Sequence, residues 1–155
     1  MRLLQLRKIK KSPMLLALRL AKKARLSGEI PVGCVIVDNK MQTISFATNL
    51  VEKNQDPTAH AEILAIRKAC KKLNRTKLDK ATLYVTLEPC KMCEFAIIQA
   101  GIKRVYFGAY SDSLKTQDHK LKNFFSKSKK YEYLGGIKEI ECQELLISFF
   151  QNIRK

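Results

Sequence analysis

The sequence has no tryptophan, only 6 glycines and 4 prolines, and just 14 acidic residues against 30 lysines and arginines. Glycine this sparse excludes a collagen-like repeat. The 5 cysteines are odd in number and lack a framework spacing, which excludes a disulfide-dense miniprotein and leads us to expect a reducing, cytoplasmic compartment. The longest apolar run, Ile30 to Val37, falls far below the ~20 residues of a bilayer-crossing helix, so no membrane partner is expected. No secretory leader, internal repeat or low-complexity linker is visible. Apolar residues make up 46% of the 155 positions, too many for a wholly disordered chain and enough for one continuous core.

The deficit of acid leaves a formal net charge of +16. A polyanionic partner is expected, although charge alone does not separate RNA, DNA and an anionic membrane surface. Between Met1 and Gly28 there is no acidic residue, while Arg2, Arg7, Lys8, Lys10, Lys11, Arg19, Lys22, Lys23 and Arg25 are all cationic. Residues 1–11 read as a basic arm, and 12–155 as the folded domain.

Ser12-Pro13 reads as an N-cap and first-turn proline, and Leu16, Leu20 and Ala24 recur at helical spacing, predicting a helix over 13–27. Val32–Val37 and Thr43–Thr48, separated by Asp38-Asn39-Lys40, predict a hairpin. Ala61, Leu64, Ala65, Lys68 and Ala69 predict a helix that Thr58 would cap. A strand is predicted over 82–87, a helix over 90–100 closed by Gly101, and a strand over 105–107. Tyr110 to Lys130 is polar and lysine-rich, with Leu114, Leu121, Phe124 and Phe125 as apolar anchors, and reads as a mobile or partner-facing segment. Residues 139–153 form an amphipathic helix carrying Leu145, Leu146, Phe149, Phe150 and Ile153. Alternating strands and helices predict a layered α/β sandwich around a partly parallel sheet.

The chemistry concentrates in His60-Ala61-Glu62 and in Pro89-Cys90-Lys91-Met92-Cys93. One imidazole and two thiolates are ligands that zinc accepts, and three ligands leave one position open, as catalytic sites require. A structural site needs a fourth, and Cys34, Cys70, Cys142 and His119 form no second spaced pair. Pro89 suits the opening of a helix on which Cys90 and Cys93, at i and i+3, share a face near the positive end of the dipole. Glu62 lies about 200° around a helix from His60 and is a poor co-ligand. Two thiolates cancel the zinc charge and weaken its effect on water, so a proton acceptor is needed; a buried Glu62 would serve as general base, then general acid. A lone Cys-x-x-Cys is more often redox-active or half of a structural zinc site, and a lone His-x-Glu means little; it is their combination that points to catalytic zinc.

With that order of motifs the chain resembles the cytidine-deaminase superfamily of zinc nucleobase deaminases. Pro31-Val32-Gly33, Asn49, Asp56-Pro57-Thr58-Ala59-His60-Ala61-Glu62 and Ala81 to Cys90 look more narrowly like the bacterial tRNA-specific adenosine deaminases. The resemblance implies a three-layer α/β/α cytidine-deaminase-like sandwich with a mixed, largely parallel sheet, one Zn²⁺ per subunit, and a homodimer. It implies hydrolytic deamination of the wobble adenosine in a tRNA anticodon stem-loop to inosine, with attack at C6 and loss of ammonia. His60, Cys90 and Cys93 match the metal ligands and Glu62 the proton shuttle. Asn49 matches an asparagine that hydrogen-bonds the flipped nucleoside, and Pro31 and Val32 match residues lining the base pocket. Phe149 and Phe150, as in the family's closing helix, are further candidates for substrate contact.

The chain departs from the family pattern at Tyr110-Ser111-Asp112-Ser113-Leu114-Lys115, where an Arg-Asp pair and a small loop are usual, and at Glu94-Phe95, where small residues are usual. Two other readings stay open. One is a relative acting on a free base or nucleotide such as guanine, cytosine or deoxycytidylate; the other is a catalytically idle zinc protein that binds RNA.

Overall fold

The computed structural model describes residues 12–114 and 130–153. The basic arm 1–11 and the anchors Leu121, Phe124 and Phe125 lie outside the described residues. Helix α1 spans Pro13–Leu26, strand β1 Gly33–Val37, β2 Thr43–Thr48, a short α2 Val51–Asn54, α3 Ala61–Leu73 and β3 Thr82–Leu87. Helix α4 spans Lys91–Gln99, β4 Arg104–Ala109, a 3-10 turn Ser111–Leu114, β5 Glu132–Leu134 and α5 Glu139–Ile153.

The strands form one five-stranded sheet in the order β2-β1-β3-β4-β5. β1 pairs antiparallel with both β2 and β3, whereas β3–β4 and β4–β5 are parallel. The sheet is therefore mixed as expected, but parallel in half of its pairings rather than in most. The hairpin keeps β1 antiparallel to everything beside it, while the α4 crossover from β3 to β4 requires a parallel return. α1 and α5 cover one face and α3 and α4 the other, giving three layers.

Local chemistry explains each placement. Ser12 caps α1 by accepting from the Leu15 amide at 3.4 Å, and Met14, Ala17, Leu18, Ala21 and Ala24 form its buried stripe. The alanines let β1 approach closely: a Cβ added at Gly33 would lie 2.0 Å from the Ala17 carbonyl oxygen and 2.8 Å from Leu20 Cβ. On the other face, Ser45 Oγ donates to the Ala65 carbonyl at 2.7 Å, and Lys68 and Lys72 donate to the Phe46 and Ile44 carbonyls at 3.2 and 3.1 Å. The lysines thus tie α3 to edge strand β2 and satisfy carbonyls that would otherwise template another chain.

The sequence missed α2 and β5, which are too short to show a periodicity. α2 is held from outside: Glu29, 1% exposed, accepts from the Glu52 and Lys53 amides at 3.2 and 2.8 Å. Thr58 does not cap α3. Its hydroxyl donates to Asp56 Oδ1 at 2.7 Å, and His60 occupies the N-cap position. Gly33→Ala is expected to lower stability by about 1–3 kcal/mol through overpacking against α1, read as a lower urea midpoint with an unchanged slope.

Candidate metal centre and adjoining cleft

β3 runs toward the site and ends at Leu87, and the next three residues deliver Cys90 to the start of α4. Open α/β sheets place their functional groups at such carboxyl ends of strands. Cys90 is the N-cap of α4 with an extended backbone (φ −69°, ψ 171°), and His60 is the N-cap of α3 in nearly the same conformation (φ −70°, ψ 151°). Neither side chain makes a capping hydrogen bond. Positions that usually carry Ser, Asp or Asn are given over to a sulfur and an imidazole.

This changes how the Cys90/Cys93 pairing works. The two cysteines do not share a helical face: Cys90 precedes the helix, Pro89 lies before the cap, and Cys93 is the third helical residue. An N-cap side chain naturally folds back over the third residue, and capping geometry therefore brings the sulfurs together. His60 Nδ1 lies 3.6 Å from Cys90 Sγ and 3.5 Å from Cys93 Sγ, and the donor atoms of all three residues lie within 4.8 Å of one another.

Those spacings fit zinc. A tetrahedral ion with sulfur at ~2.3 Å and nitrogen at ~2.0–2.1 Å separates S from N by about 3.6 Å. Protons also sit where a divalent cation would replace them. Hydrogen bonding from Cys93 and then from His60 draws the Cys90 thiol down to about 4, and the same bond with burial pushes Cys93 far up. The hydrogen bond to Cys90 raises the His60 imidazole. A ready thiolate at two helix N-termini is a cation's ligand set.

Glu62, the second residue of α3, is 4% exposed, and burial raises its carboxyl to about 7. It stays out of the His60–Cys90–Cys93 cluster and lines a cleft of about 100 Å³ beside it. Val32, Asn49, Ile30 and Leu87 line the same cleft. Asn49 is held on both sides: its backbone amide donates to the Val32 carbonyl at 3.2 Å, and its Oδ1 accepts from the Val51 amide at 3.2 Å.

Three sequence candidates do not line this cleft. Pro31 is buried, and Ile30, 38% exposed, is the lining residue beside Val32. Phe149 is buried on α5 and Phe150 packs against the core, their rings edge-to-face at 5.5 Å, and neither lines the cleft. The sequence also overlooked Glu88, which lines the cleft and accepts from Ser111 Oγ at 2.8 Å. Its place within Leu87-Glu88-Pro89-Cys90 was the available signal.

Residues 7–109 match the family described as the cytidine and deoxycytidylate deaminase zinc-binding region. Fold and site together define the class as zinc-dependent, cytidine-deaminase-like deaminases, and zinc is the cofactor. The chain is 44% identical to the tRNA-specific adenosine deaminase of Haemophilus influenzae, over 90% of this chain and 82% of that protein. It superposes with a TM-score of 0.77 and 39% identity on a chain from work on A-to-I editing by tRNA:A34 deaminases at the wobble position of transfer RNA. That match covers 86% of this chain and 98% of the other. A guanine deaminase from Bacillus subtilis is 42% identical but covers 63% of this chain and 62% of its own, with a TM-score of 0.61. The chain belongs to the tRNA-specific adenosine deaminase family.

Metal content tests the cluster directly. Purified protein is expected to hold about one zinc per chain by elemental analysis, and Cys90→Ala or Cys93→Ala to lose most of it, since the remaining donors cannot complete the site.

Proposed function

We propose that this chain converts the wobble adenosine of a tRNA anticodon loop to inosine by hydrolytic deamination. The observation that carries the reading is the juxtaposition of the His60–Cys90–Cys93 cluster with a buried carboxylate, Glu62, in one small cleft. His60, Cys90 and Cys93 would hold zinc, which supplies the Lewis acidity that makes water a nucleophile near neutral pH.

The remaining work falls to the chain's own groups. Glu62 takes a proton from the water that adds to C6 and delivers it to the departing nitrogen, so that the C6–N bond breaks and ammonia leaves. Its burial serves this role by raising its carboxyl to about 7, where it can both accept and return a proton. Asn49 Nδ2 donates to the nucleoside, and Val32, Ile30 and Leu87 supply apolar walls for the base. A loop nucleotide is cheaper to extract from its stack than a paired one, which suits a cleft this narrow. The +16 charge supplies backbone attraction. Such an enzyme acts in the cytoplasm, where its tRNA is.

A homodimer is part of the same reading. Met92 and Phe95 are 36% and 58% exposed on the outer side of α4, where the family places small residues at 94 and 95, and Glu94 is buried beneath them with Lys91 at 3.2 Å. Exposed apolar side chains on one helix suit a partner copy.

Two measurements follow. Glu62→Gln is expected to cut inosine formation on an anticodon stem-loop by at least about 10²-fold while retaining zinc, because proton transfer and not metal binding is lost. Turnover of free guanine, cytosine or deoxycytidylate with none of the stem-loop would replace the tRNA reading. Phe95→Glu is expected to shift sedimentation toward the monomer by burying a charge at the interface.

A further inference from the structure

The cleft does not end at Asn49. On the far side of that residue lies a larger cavity of about 540 Å³, bounded among others by Lys23, Ser27, Glu29, Thr48 and Lys53. Asn49 lines both spaces, so they adjoin. The second is within the ~300–1,000 Å³ of ordinary ligand sites, yet nothing in the reaction above uses it.

Its charges are arranged unevenly. Lys23 and Lys53 are exposed on the rim, and neither makes an ion pair among the described residues. The Glu29 carboxylate is 1% exposed and commits one oxygen to each of two amides, at 3.2 and 2.8 Å, so the first turn of α2 already meets its charge. Glu52 is the exposed carboxylate on this rim. Behind Lys23, α1 adds exposed Arg19 and Lys22, and no acid precedes Glu29 in the sequence. The opposite wall of the cleft is anionic, with Glu88 held by Ser111 and Asp112 following it.

A nucleoside within a strand carries a phosphate on each side; the cleft's own lining has Glu88 and no lysine or arginine to meet one, whereas the cavity beyond Asn49 sets Lys23 and Lys53 against the exposed Glu52. We propose that the cavity between Lys23 and Lys53 holds the RNA backbone next to the target nucleoside, with a flanking phosphate placed between the two ammonium groups. The inference rests on the reading of the substrate as RNA and adds where the strand runs. Ser27, on the same rim, offers a hydroxyl beside that path. Asn49 then stands at the joint between the base-holding cleft and the phosphate-holding groove.

The test uses Lys23→Gln, Lys53→Gln and the double variant, with stem-loop affinity and inosine formation measured over a salt series. Melting temperature and zinc content should stay at wild-type values, since both side chains are on the surface. The double variant is expected to bind the stem-loop about tenfold or more weakly, and its slope of log K against log salt should flatten by roughly 0.7 per lysine. A neutral methylphosphonate at the flanking phosphate should weaken wild type and leave the double variant nearly unaffected. Lys80→Gln is the control, because Lys80 is exposed just ahead of β3, at the end of the sheet away from the cleft. An equal loss from Lys80→Gln, or a double variant with wild-type affinity and slope, would overturn the groove. Should wild type make no inosine from the stem-loop, the substrate reading itself falls and this inference with it.

Discussion

Two helices begin at one point, and the rest of the molecule is arranged to keep them there. α3 and α4 lie on the same face of the sheet, and each surrenders its N-cap position to a side chain that points at the other helix's start. The cost is two uncapped first turns, each forgoing about 0.5–2 kcal/mol of capping. The return is an imidazole and two sulfurs at tetrahedral spacing, in the field of two positive dipole ends. A bound zinc offsets the deficit, which couples folding to metal binding.

Burial divides the labour among the acidic residues around this point. Glu62, wrapped by the core, has its proton affinity raised by burial. Glu29, equally buried, is spent on the backbone of α2 and thereby fixes Asn49 at the cleft edge. Glu88 is steadied by Ser111 on the remaining wall. Three carboxylates of one chemistry thus become a buried group of raised proton affinity, a structural cap and a wall because each meets a different set of donors.

Much of the fold could be read from the sequence, and the reasons it could are local. Ser12-Pro13 and Gly28 bracket α1, and the predicted bounds of β2 and β3 coincide with those observed. The His-x-Glu and Pro-Cys-x-x-Cys motifs contain the three donors that the fold gathers within 4.8 Å of one another, with Cys90 at the N-cap of α4 and not inside its first turn. Spacing alone does not tell an N-cap from a first turn. Pro31, Phe149 and Phe150 do not line the cleft, because a side chain's neighbours are set by packing and not by spacing along the chain.

Composition and motif order by themselves determined the class of fold, the candidate donor set and the excess of positive charge, since each depends on residue type and short-range spacing. Tertiary structure alone decided the distances among His60, Cys90 and Cys93, the burial of Glu62, the entry of Ile30 and Glu88 into the cleft, and the cavity beside Asn49. These depend on segments far apart in the chain meeting across a sheet whose pairing and crossovers no local pattern encodes.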